Sequence, residues 1–206
     1  MRKWTICCLP LFLLAGEARA SVLYTNSAVA GNQLQACCNA AGQITSGEEL
    51  ALAFTISGTG TYSSIGFDVV GIQIGPGTTT FAIYGSGANK PGTQLASVVV
   101  NPPTSADGEF GGTFSGLTLT AGKTYYLVDE TTAPELEELG STTTSSGDIY
   151  TEFGGSWRVE DIPFAPPAFE ITGKSNAAPT PEPASAVLTG IGGLLYLLRR
   201  RSSARL

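Results

Sequence analysis

Residues 50–56, Leu-Ala-Leu-Ala-Phe-Thr-Ile, set Leu50, Leu52, Phe54 and Ile56 on one face at a spacing of two, which predicts a half-buried β-strand. Ile65, Phe67 and Val69 then share a face before the apolar phase moves to Val70, Ile72 and Ile74. A slip of one residue predicts a bulge, or a strand that changes sheets. Gly75-Pro76-Gly77 turns the chain into a strand over 80–84 with Phe81 and Ile83 inward, and further strands are expected at 94–100, 110–114, 117–120 and 124–128. Ala121-Gly122-Lys123 reads as a hairpin-type turn between the last two. Residues 129–148 read as a polar, Ser/Thr-rich insertion whose Pro134-Glu135-Leu136-Glu137-Glu138-Leu139 forms one or two helical turns, with Glu137 and Glu138 in water. Strands resume at 149–153, 157–159 and 169–172. Short, turn-punctuated strands without a solenoid-length repeat predict an all-β fold, a jelly-roll-like β-sandwich over 21–174.

The two ends depart from that texture. Arg2 and Lys3, an apolar core over 6–15 and the small-x-small site Ala18-Arg19-Ala20 predict a signal peptide, 1–20, cleaved to leave Ser21 first. Cys7 and Cys8 leave with it, and a retained anchor is the lesser alternative. After a small-residue linker at 175–180 come Pro181-Glu182-Pro183, an uncharged run over 184–198, and Arg199-Arg200-Arg201. Fifteen helical residues cover about 22 Å against a hydrocarbon core of about 30 Å. A core helix would not be apolar all round and then end in three arginines, which snorkel, extend the span and stay cytoplasmic. A single transmembrane helix with a cationic stop is expected.

Pro181-Glu182-Pro183, Ile191-Gly192-Gly193-Leu194-Leu195 and the arginine triplet together resemble the PEP-CTERM sorting signal. The resemblance implies bacterial export, passage through the inner membrane, handling by an exosortase-type transpeptidase, and delivery to the cell surface or extracellular matrix. A second resemblance lies in the domain. Leu23-Tyr24-Thr25-Asn26, Ile83-Tyr84, Lys90-Pro91-Gly92-Thr93-Gln94-Leu95-Ala96, the run from Leu117 to Val128 and Phe169-Glu170-Ile171-Thr172-Gly173 look like the choice-of-anchor R domain. That family implies anchoring and no ligand or activity. The Cys37-Cys38 pair and the 129–148 segment fall outside its pattern.

Charge narrows the function. Between residues 21 and 181 there are four basic against fifteen acidic side chains, a net of −11, which repels nucleic acid and anionic lipid. The chain has no histidine, which removes imidazole triads and the commonest metal ligand. Asp129, Asp148, Glu152, Glu160 and Asp161 are the acids a glycan hydrolase would draw on, yet no spacing pairs them, and solvated loop acids is the plainer account. No Asp-x-Asp-x-Asp loop calls for calcium, and neither a metal nor another cofactor is expected. Cys37 and Cys38 are the thiols left after processing; a vicinal disulfide is favoured over links to another chain or two buried thiols. Tyr62, Tyr84, Tyr125, Tyr126, Tyr150, Trp157 and Phe164 are the aromatics available for sugar stacking, with core packing the better account of Tyr125 and Trp157.

The expectation is an exported, non-enzymatic surface or matrix protein, structural or adhesive, whose partners are signal peptidase and an exosortase-type transpeptidase. A lectin-like module binding extracellular polysaccharide is the alternative, and a carboxylate-dependent glycan hydrolase stands third. An exposed aromatic strip would favour the second, and two facing carboxylates in a cleft the third.

Overall fold

Fourteen residues from Thr61 to Ile74 form the longest strand among the described residues, and its sheet is built on both of its edges. The structure is a computed structural model that describes residues 20–30, 33–34, 36–141, 149–152, 156–160 and 166–176, the side chains of 29, 30, 37–43, 141 and 160 excepted. The signal peptide through Arg19, the sorting segment 181–206, the acids Asp148 and Asp161, Phe164, and the Cys37 and Cys38 side chains lie outside that description.

In chain order the strands are β1 (Ser21–Thr25), β2 (Val29–Ala30), β3 (Gln33–Leu34), β4 (Ala36–Thr45), β5 (Glu49–Thr55), β6 (Thr61–Ile74), β7 (Thr79–Gly87) and β8 (Lys90–Val100). They continue as β9 (Gly108–Thr113), β10 (Leu119–Thr120), β11 (Thr124–Thr131), β12 (Glu135–Ser141), β13 (Ile149–Glu152), β14 (Trp157–Glu160) and β15 (Phe169–Ser175). Every regular element described is a strand, so no described helix is long and apolar enough to cross a membrane.

The strands make two antiparallel sheets and a small β2–β3 ribbon. One sheet runs β14–β13–β5–β11–β7–β8. In the other, Gly66 pairs with Thr172 of β15 and with Thr113 of β9, and Gly71 with Glu138 of β12 and Gly108 of β9. A residue has two edges, so β15 and β12 lie end to end along one edge of β6, with β9 along the opposite edge. β1 covers β15, and β4 covers β12.

The sheets pack face to face as a β-sandwich. Leu50, Leu52, Phe54, Phe81, Ile83 and Leu127 of one meet Ile65, Phe67, Val69, Phe169 and Ile171 of the other in a single buried cluster. Rings join the layers: Phe67 and Phe81 have centroids 4.7 Å apart, and Phe54 meets Phe169 edge-on at 6.1 Å. Burial of alternate apolar side chains is what closes the two layers.

Four expectations need correction. The segment after Asp129 is no insertion with helical turns: β11 continues to Thr131, and β12 is an interior strand between β6 and β4. Its alternation is real, with Leu136, Glu138 and Gly140 buried, but two of the inward positions are not apolar, which hides the period. Glu138 is 1 % exposed rather than solvated. Second, no register shift separates Val69 from Val70. The extra residue of β6 sits lower down, where Thr172 pairs with Gly66 but Lys174 with Ser63, and Ser64 takes a φ of 51°. That bulge lets Tyr62 and Ile65 face the same core, while Val70 joins Leu34 and Ala168 on the far side of the sheet. Third, only Leu119 and Thr120 of 117–120 pair as a strand, with Tyr62 and Thr61. Fourth, β10 and β11 belong to different sheets, so residues 121–123 carry the chain across the sandwich rather than around a hairpin.

Candidate functional site

Four of the aromatics singled out from the sequence, Tyr84, Tyr126, Tyr150 and Trp157, and one of the acids, Glu152, share one surface, the outer face of the six-stranded sheet. The alternation that sends Leu50, Leu52 and Phe54 inward sends Glu49, Ala51 and Ala53 outward, and pairing extends each into a row. The first row runs Trp157, Glu152, Glu49, Glu130 across β14, β13, β5 and β11. The second runs Tyr150, Ala51, Val128, Ala82, and the third Ala53, Tyr126, Tyr84, Gln94.

This face is concave. Trp157 on β14 and Tyr84 on β7 are four strands apart, about 19 Å in a flat sheet. Their ring centroids lie 6.4 Å apart in an edge-on contact, so the sheet curls and the rings reach toward one another. Beneath them Ala51, Tyr126, Val128 and Tyr150 form a buried floor, with Tyr126 and Tyr150 edge to face at 5.5 Å. The Tyr150 hydroxyl donates to the Asn89 carbonyl at the β7–β8 tip, 2.6 Å away, tying the two sides of the groove. Tyr84 and Trp157 remain half-buried at the rim.

Three carboxyls stand side by side at one end of the groove. Glu49 is directly opposite Glu152 on one side and Glu130 on the other. Burial, a hydrogen bond with Glu152, and the charges of Glu152 and Glu130 push the Glu49 carboxyl up to about 7. Its Oε2 is enclosed and lacks a hydrogen-bond partner. Burial first, then Glu49, Glu152 and Glu130, raise the Tyr84 phenol, which donates to Gln94 Oε1 at 3.3 Å. Glu49 therefore keeps its proton to a higher pH than an ordinary carboxyl, and in that form it can donate to Glu152.

The other candidates go elsewhere. Tyr62 and Tyr125 are core residues. Asp129 faces the interior at 1 % exposure, where burial holds its carboxyl well above the usual range despite a hydrogen bond from its own amide. On the outer face of the second sheet, Glu170 stands opposite Asp68, with Glu109 beside them accepting from the Leu34 amide at 3.0 Å. Burial and these like charges raise both Glu170 and Asp68. Among the described residues no group of three or more acids and cysteines is placed to hold a metal ion. Glu49 had not been singled out, although two outward alanines beside it, Ala51 and Ala53, mark a face that larger side chains overlie.

No family model, no curated protein and no solved structure matches this chain.

Proposed function

We propose that this chain is an exported bacterial surface or matrix protein, carried out by its signal peptide and delivered by its PEP-CTERM-like tail with an exosortase-type transpeptidase as partner. Its jelly-roll-like sandwich acts there as a non-enzymatic, adhesive module. The observation that carries the adhesive role is the concave face, where half-buried Tyr84 and Trp157 stand above a buried aromatic floor. Aromatic rims of this kind offer flat apolar area to the C–H face of a sugar ring, and neighbouring carboxyls accept from its hydroxyls. An extracellular polysaccharide is accordingly the ligand class that fits.

Hydrolysis is the weaker reading. Carboxyl pairs that cleave glycosides stand about 5–5.5 Å or about 6.5–9.5 Å apart to admit the scissile bond or a water. Glu49 and Glu152 are in hydrogen-bond contact, which leaves no such gap. Affinity electrophoresis of the mature protein through gels holding soluble neutral, amino-sugar or uronic-acid polysaccharides tests the proposal. Retardation in one gel, reduced by Trp157→Ala and Tyr84→Ala, supports it. Unretarded migration in all three removes the adhesive role, and release of reducing ends would restore the enzyme.

A further inference from the structure

The groove makes no use of the two most deeply buried acids among the described residues. Asp129 projects inward from β11 and Glu138 inward from β12, so one carboxyl comes from each sheet. Each residue is 1 % exposed. Asp129 is flanked on its sheet by Leu50 and Phe81, and Glu138 on its sheet by Gly71 and Gly42. Asp129 Oδ2 and both carboxyl oxygens of Glu138 are enclosed without a hydrogen-bond partner.

Among the described residues no basic side chain is buried beside them. The four basic side chains of the described residues, Lys90, Lys123, Arg158 and Lys174, are all exposed. The charged groups that act on the pair are acids: Asp129 raises Glu138, and Glu49, from the outer face of the next strand, raises Asp129. The buried polar side chains of the neighbouring strands β6 and β7, and Thr131 of β11, are already engaged. Thr79 Oγ1 lies 2.8 Å from Gln73 Oε1 and 3.2 Å from Thr131 Oγ1, and Gln73 Nε2 donates to the carbonyls of Gly75 and Gly77. The one donor to the pair is the Asp129 amide, which leaves three of the four carboxyl oxygens with no partner, so ionisation would carry a heavy desolvation penalty and a proton on each is the cheapest way to neutralise them.

We propose that Asp129 and Glu138 form a proton-held latch between the sheets. The sandwich closes over the pair with both protons on, and the β11–β12 end loosens when the pair ionises. Alkalinity opens this end of the domain and acidity secures it. Protons are the only species exchanged, taken from and returned to solvent.

The test uses the mature protein. Its infrared spectrum near neutral pH should contain a protonated-carboxyl C=O band that persists well above the ordinary carboxylate range. In chemical denaturation the unfolding constant should rise steeply with pH, up to about a hundredfold per pH unit where two protons are lost. The Asp129→Asn/Glu138→Gln double variant should lose both the band's share and that slope. Hydrogen exchange should quicken at β12 amides of the wild type on going alkaline, ahead of β5 amides. Absence of the protonated band at neutral pH overturns the latch, whether or not the variant folds. So does an unchanged slope in a folded double variant. Stabilisation by calcium at alkaline pH that a chelator reverses would also overturn it, making the pair a cation site.

Discussion

Glu49 and Glu152 stand directly opposite one another on β5 and β13 and share a hydrogen bond, with Glu130 on the remaining side of Glu49. Like charges in direct cross-strand opposition repel, and this row survives by keeping a proton. Glu49 is raised from 4.5 to about 7 in the folded chain, so folding takes up a proton there. The stabilisation tied to that proton is complete below the unfolded value and is lost as pH rises through about 7. Melting temperature should therefore fall between about pH 5 and about pH 8. Glu49→Gln, which cannot titrate, should flatten that part of the profile. A profile identical to wild type would show that Glu49 does not titrate in that range.

The rings of the core and those of the groove should separate stability from binding. Phe67 is fully buried against Phe81 and Phe114, and Phe67→Ala should cost about 3–5 kcal/mol of unfolding free energy. Trp157 is half-buried at the groove rim, so Trp157→Ala should cost clearly less while removing polysaccharide retardation. Urea denaturation of both variants beside the gel assay decides the matter. Equal losses of stability would place Trp157 in the core.

At Gly71 the backbone of β12 packs directly against β6. A Cβ there would run into the Glu137 carbonyl oxygen and sit 3.2 Å from the Glu138 Cα. Gly71→Ala should destabilise by about 1–3 kcal/mol, since backbone cannot swing aside as a side-chain end does. The measured denaturation midpoint should shift down; an unaltered midpoint would mean that β12 is free to move away from β6.

Delivery should need two parts of the tail for different reasons. On the proposed sorting route, Glu182→Ala is expected to leave full-length protein in the inner membrane with normal topology, because flanking prolines disfavour a helical start and the transpeptidase would act on an extended Glu182. Alanine at Arg199, Arg200 and Arg201 together is expected to let the tail slip through, releasing unprocessed protein to the periplasm. Fractionation with intact-mass measurement checks both, and identical behaviour of the two would reduce the tail to a plain hydrophobic anchor.

Where a strand carries apolar residues at every second position the sequence announces it, as at 50–56, and β5 is found there. β12 escaped because its inward positions are Leu136, Glu138 and Gly140, so a carboxyl and a glycine stand where the eye seeks apolar residues. β4, Ala-Cys-Cys-Asn-Ala-Ala-Gly-Gln-Ile-Thr, has too little contrast between its two faces to announce a strand. The groove was half legible. Tyr84, Tyr126, Tyr150, Trp157 and Glu152 drew notice as residue types, but which of them share a face depends on the order β14–β13–β5–β11–β7, and strand order is a long-range property. Glu49 drew none, because a lone acid at a strand start is ordinary until two others are paired beside it.

β15 lies between β1 and β6, hydrogen-bonded on both sides, and its last residues lead into the segment that would tether the protein. Antiparallel ladder bonds run perpendicular to the strands, so a pull along the chain beyond Asn176 drags β15 lengthwise across two ladders at once. Such loading is shear: the bonds share the force and must fail together, whereas an edge strand peeled from one end surrenders them singly. β1 begins at Ser21, paired with Gly173, so the start of β1 braces the strand that such a pull would load. A pull on the tail would thus load β15 in shear against β1 and β6 together, and loss of β1 would leave the β6 ladder to carry that load alone.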